Sequence, residues 1–84
     1  MTCSICGSAI KQWQFFNWDH DIPMSRGGRR GRANKRYAHL LCNSVKGDRW
    51  PFSMRTPAER EAVRDWVHPR TYRRLERIWR GDPG

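Results

Sequence analysis

Two chelating pairs of equal spacing, Cys3 with Cys6 and His39 with Cys42, constrain this chain more than any other feature. Each pair can hold a metal from one turn, and together they make the four-ligand set of a tetrahedral zinc site. The length explains why such a staple matters. At 84 residues the chain holds one domain, in a size range where a hydrophobic core alone gives marginal stability. Only 37% of residues are apolar while 30% are charged, so metal affinity that becomes folding free energy fills a real gap. Three cysteines cannot all pair as disulfides, and no charged start, apolar run and small-residue cleavage site mark a secretory signal. A reducing, cytoplasmic setting is expected. Charged residues interrupt every apolar stretch before the roughly 20 residues that cross a bilayer, so no membrane partner is expected.

Seventeen Lys and Arg against eight Asp and Glu give a formal charge of +9, with arginine the commoner cation. Guanidinium groups match phosphate oxygens in pairs, and released counterions drive such binding, so the balance points to a polyanion. The cations are unevenly spread. Arg26, Arg29, Arg30, Arg32, Lys35 and Arg36 surround Gly27, Gly28 and Gly31 with no acid among them, which reads as a flexible loop that grips phosphates. Lys46 is placed with this DNA-binding set. Arg64, Arg73, Arg74 and Arg77 lie on helical patterns where Glu59, Glu61, Asp65 and Glu76 can neutralise them.

Local patterns divide the rest. After the Cys3 to Gly7 turn, Trp13, Phe15, Phe16 and Trp18 suit an extended, partly buried strand ending near Pro23. Tyr37 to Leu41 reads as a second strand or the entry to a helix that runs through Asn43 and Lys46 and stops at Gly47. Thr56, Pro57 and Glu59 form a capping box with proline at the first helical position. Ala58, Ala62, Val63, Trp66 and Val67 supply that helix with an apolar face; Pro69 breaks it, Thr71 caps the next, and Tyr72, Leu75, Ile78 and Trp79 form the last stripe. His68 has no ligand partner at useful spacing and reads as structural or exposed.

Between the two ligand pairs stands Asp19-His20-Asp21-Ile22-Pro23, followed by Asn34 and, directly after Cys42, Asn43. An Asp beside a His offers a hard oxygen ligand for a divalent cation and a neutral imidazole that can activate water. The full stretch, DHDIPMSRGGRRGRANKRYAHLLCNSVKG, resembles the HNH endonuclease superfamily in its zinc-knuckle, small phage-like form, with four elements agreeing in order and spacing over residues 3 to 47. The resemblance implies a small ββα-metal core stapled by a zinc knuckle, and the helical patterns add two C-terminal amphipathic helices, giving an α+β fold. It divides a single domain into a nuclease core at residues 1–50 and a helical extension packed on it at residues 51–84.

The same resemblance implies that His20 is the general base of phosphodiester hydrolysis. Asp19 and Asn43 hold the catalytic divalent metal, magnesium by default with manganese or nickel as substitutes, and Asn34 orients the loop that carries His20. Activity should then rise with pH as the His20 imidazole loses its proton. One departure matters. Where the zinc-knuckle members usually have cysteine, this chain has His39. It lies three residues before Cys42 and four before Asn43, so helical spacing lets it serve either metal. In colicin-type DNase domains the residue four before the last motif position binds the catalytic ion. Because three cysteines need a fourth ligand, His39 is assigned to zinc. The implied partner is DNA in preference to RNA; a zinc-stapled binding module, or an accessory subunit of a larger DNA-processing complex, without turnover is the competing class.

Overall fold

The amino-terminal residues close on themselves around the first cysteine pair. Cys3 N–H donates to Ser8 O (2.9 Å) and Gly7 N–H to Cys3 O (2.9 Å), and Gly7 sits at φ +77°, where a side chain would be strained. This knuckle opens the computed structural model, which describes residues 1–83. Strand β1 (Phe16–His20) and strand β2 (Lys35–His39) follow, then helices α1 (Leu40–Lys46), α2 (Pro57–Arg64) and α3 (Pro69–Trp79). The strands are antiparallel, with Phe16 opposite His39, Trp18 opposite Tyr37 and His20 opposite Lys35. Strand alternation then sorts the side chains. Asn17, Asp19 and Ala38 turn toward α1, where Asn17 and Asp19 take hydrogen bonds from Asn43 and Lys46. Phe16, Trp18 and Tyr37 stand on the uncovered face. The result is a zinc-knuckle-type ββα core.

The aromatic run predicts a strand from about Trp13, but β1 begins only at Phe16. The reason lies just ahead of it: Gln14 N–H bonds Lys11 O (2.9 Å) and Lys11 N–H bonds Gln14 Oε1 (3.0 Å), closing a turn that uses these residues. The Gly-Arg stretch has more structure than its composition implies. Short 3-10 turns form at Met24–Arg26 and Arg32–Asn34, with Gly28 N–H bonded to Pro23 O (3.0 Å). The segment that sequence leaves open between strand and helix divides at His39, and Gly47 ends α1 with its N–H on Asn43 O (3.0 Å).

The capping box of α2 forms as expected: Thr56 Oγ1 accepts from Glu59 N–H (3.1 Å) and Glu59 Oε1 accepts from Thr56 N–H (3.0 Å). Its apolar face is narrower than predicted. Val63 is buried, but Ala58 and Ala62 are exposed within the helix, and Trp66, also exposed, lies beyond its 8 residues, against Phe52 and under Arg49. The expected cap at Thr71 is also corrected. His68 caps α3 through its side chain, which accepts from Arg70 N–H (3.0 Å), and Pro69 at the first position fixes the start. Leu75 and Ile78 of α3 join Val63, Met54, Ile5 and the cysteines in one buried cluster, so the last helix closes over the knuckle. Among the described residues no helix is long and apolar enough to cross a membrane.

Candidate metal centre and catalytic cleft

Cys3, Cys6, His39 and Cys42 come together with all ligating atoms within 4.8 Å of one another, and none is more than 1% exposed. The knuckle turn presents the first pair; the β2–α1 junction presents the second, His39 ending the strand and Cys42 standing in the first turn of the helix. His39 Nδ1 lies 3.4 Å from Cys6 Sγ and 3.9 Å from Cys42 Sγ. Zinc bonds of about 2.3 Å to sulfur and 2.0 Å to nitrogen place tetrahedral ligands about 3.5 Å apart, so three thiols and one imidazole here fit zinc in both spacing and donor type. No disulfide consumes a thiol.

Without metal the four groups share protons unevenly. Hydrogen bonds from Cys42 and Cys6 hold Cys3 well below the usual thiol range, while hydrogen bonding to Cys3 and Cys6 and burial push Cys42 far up. Burial opposes a charge on His39, yet its hydrogen bonds to Cys3 and Cys6 and their charge outweigh that and raise it to about 9. A bound cation replaces protons, as thiolate sites require. The other ring nitrogen of His39 is also committed: Nε2 lies 2.7 Å from Gln14 Oε1. Gln14 in turn donates from Nε2 to Ile78 O (3.1 Å) and Asp82 O (2.9 Å). With Nδ1 among sulfurs and Nε2 on an amide carbonyl, His39 has no nitrogen left for a second metal.

On the other side of α1, Asp19, His20 and Asn43 line one open cleft of about 200 Å³ together with Trp18, Pro23, Met24, Gly47 and Asp48. Asp19 is only 4% exposed and its Oδ2 is paired with Lys46 Nζ at 2.7 Å. Lys46 also donates to His20 O (2.8 Å) and Asp21 O (3.0 Å), so its three protons hold the Asp19 side chain and the backbone at and just after His20. Asn43 Nδ2 faces two acceptors, Asn17 Oδ1 (2.8 Å) and Trp18 O (3.1 Å), which fixes the amide's orientation and leaves Oδ1 without a partner among the described residues. The His20 ring is half-buried and makes no hydrogen bond there. Hard oxygen donors on Asp19 and Asn43 flanking one cleft fit a small divalent cation.

Asn34 lies behind this cleft rather than in it. Its Oδ1 accepts from Ile22 N–H (2.8 Å), and its Nδ2 donates to Ile22 O (2.9 Å) and Arg29 O (2.9 Å), a clamp on the segment after His20. Gly28 is packed against the same clamp: a Cβ there would stand 1.9 Å from Ile22 O. Among the cations, Arg29, Arg30, Arg32 and Lys35 are exposed with free head groups, whereas Arg26 donates to Asp48 O (2.6 Å) and Arg36 to Ala33 O (2.9 Å) and Lys35 O (2.9 Å). Lys46 does not belong with them. It is 2% exposed and fully engaged, so it supports the cleft instead of meeting phosphate. Sequence patterns also leave out Gln14 and Gly28; the only local sign for Lys46 is its place one helical turn after Asn43.

A zinc-knuckle ββα core with an Asp-His strand facing an Asn at the start of a helix defines a class of small metal-centred nuclease folds. The model of the HNH endonuclease family matches residues 3–49, more than half of the chain, and the protein belongs to that family. No curated protein and no solved structure matched it.

Proposed function

We propose that the protein is a metal-dependent DNA endonuclease that hydrolyses phosphodiester bonds in the cleft between β1 and α1. The observation that carries this reading is the meeting of Asp19, His20 and Asn43 in one cavity, with the Asn43 oxygen left free. Asp19 and Asn43 would hold a divalent cation, magnesium or a substitute such as manganese or nickel, which would supply charge stabilisation at the scissile phosphate. The remaining work falls to side chains. His20 takes a proton from the attacking water as its oxygen bonds to phosphorus and the 3′ oxygen departs. Asn34 and Lys46 fix the backbone around His20, and Arg29, Arg30, Arg32 and Lys35 hold phosphates beside the cut.

Supercoiled plasmid incubated with magnesium, manganese, nickel or EDTA tests the reading directly. His20→Ala is expected to lower the cutting rate by about 10²- to 10⁴-fold while zinc content and DNA binding stay at wild-type values. Full activity in that variant, or cutting that EDTA leaves untouched, would remove the assignment. A second reading, a binding module or accessory subunit without turnover, is favoured by one observation: Lys46 already occupies an oxygen of Asp19. Plasmid bound but uncut with every ion would establish it.

A further inference from the structure

The uncovered face of the two-stranded sheet is built from aromatic residues. Trp18 stacks on Tyr37 with ring centroids 4.2 Å apart and planes at 26°, and Phe16 meets Tyr37 edge-on at 5.8 Å. These rings are 50%, 36% and 46% exposed, respectively. Trp18 and Tyr37 line a groove of about 490 Å³ together with Arg32 and Lys35, and Lys35 Nζ lies 5.8 Å from the Trp18 ring centre. Hairpin pairing alone asks for none of this: β-branched residues at the same register would pair as well with less apolar surface in water.

Resting on the nuclease reading, we propose that this face is a stacking platform for unpaired nucleotides, so that the preferred substrate is single-stranded, or locally so, beside the bond that is cut. Two observations select this occupant. The first is charge complementarity. The groove itself carries Arg32 and Lys35 and no acid, and of the two acids between Phe16 and Tyr37 Asp19 is buried against Lys46, so the face suits a polyanion. A ligand that also offers flat rings to aromatic side chains is a nucleic acid with its bases exposed; in a duplex the bases are stacked on each other and only an unpaired one presents its face. The second is continuity with the cleft. Trp18 lines both the groove and the cavity that holds Asp19, His20 and Asn43, and His20 lies two residues along the same strand face. A strand running over Trp18 therefore delivers its phosphate toward His20.

The test measures binding without turnover: zinc-loaded protein with no added divalent ion, titrated into a fluorescent 12-nucleotide DNA strand, the same strand lacking its bases, and a blunt duplex. The wild type is expected to bind the base-bearing strand about tenfold more tightly than the abasic one. Trp18→Ala is expected to lose that difference and Trp18→Phe to keep most of it, with duplex affinity within about twofold throughout, since phosphate contacts carry it. Equal affinity of the wild-type protein for the base-bearing and abasic strands overturns the proposal without requiring any variant to fold. A folded, zinc-containing Trp18→Ala that keeps the tenfold preference overturns it too, and leaves the face to a protein partner. Base-dependent binding with no cutting of either plasmid or the 12-nucleotide strand under magnesium, manganese or nickel would sink the nuclease reading alone; cutting without base-dependent binding would sink the platform alone.

Discussion

Lys46 shows how much of the cleft depends on single residues that do no chemistry. Its ammonium is 2% exposed and bridges Asp19, His20 and Asp21, which lie 25 to 27 positions away in sequence. Removing one partner of a buried ion pair strands the other charge, which costs about 3–5 kcal/mol. Lys46→Met is therefore expected to lower urea stability by about 3 kcal/mol, and the double variant Asp19→Asn, Lys46→Met to regain most of that. Equal midpoints for wild type and Lys46→Met would show that the pair is not stabilising. Gly28 makes a different kind of demand. A methyl group there meets Ile22 O at 1.9 Å and Asn34 Nδ2 at 2.9 Å, so the clamp behind His20 must move. Gly28→Ala should keep its zinc yet cut plasmid about 10²-fold more slowly, the scale of a misplacement near 1 Å; an unchanged rate would mean that the clamp does not position the base. Asp19, His20 and Asn43 follow one another in order along the chain and meet in one cleft, with Asn34 clamped behind it, so this grouping is legible in one dimension. Lys46 is not, since a buried lysine differs from an exposed one only by what lies across from it.

At the level of elements, local chemistry was the more readable. The α2 capping box stands in four consecutive residues, and both of its hydrogen bonds are present. Hydrogen bonds from Thr56 N–H and Ser53 Oγ hold the Glu59 carboxyl below its ordinary value of 4.5. A depressed carboxylate adds stability that is fully present above the unfolded value and is lost as pH falls through the folded one. The gap in melting temperature between wild type and Glu59→Gln should accordingly be widest above about pH 5 and close below the ordinary carboxylate range. A gap that stays constant down to pH 3 would show that the charge is not what caps the helix. The misreadings at this scale share a cause. Ala58 and Ala62 follow helical periodicity and lie within α2 yet face water, and Trp66 falls beyond its 8 residues. Thr71 has the better cap oxygen, yet Pro69 sets the start of α3 one residue after His68. Periodicity says which residues share a face, and nothing about how far the helix runs or what covers it.

Across the whole molecule the zinc site acts as the centre from which the layers are hung. The knuckle, β2 and α1 supply its ligands, and α3 reaches it through Gln14, which binds His39 on one side and the carbonyls of Ile78 and Asp82 on the other. The ligands themselves could be read from two equal spacings. Gln14 could not, because its partners lie 25, 64 and 68 residues distant and glutamine carries no pattern of its own. A partner that orients a metal-bound imidazole typically changes affinity by about 10- to 100-fold when removed. Gln14→Ala is expected to release zinc to a competing chelator correspondingly sooner, with faster amide exchange in α3; wild-type chelation kinetics would show that the contact orients nothing.

That one amide thus joins a metal to the backbone of the final helix, and the coupling runs in both directions. Fraying of the last turn of α3, by heat, by proteolysis ahead of Ile78 or by a mechanical pull, frees the imidazole to swing before any cysteine has let go. Loss of the ion would then begin as a mechanical event at the far end of the chain, and the rate at which the protein leaks zinc would serve as a gauge of how firmly its last helix is seated.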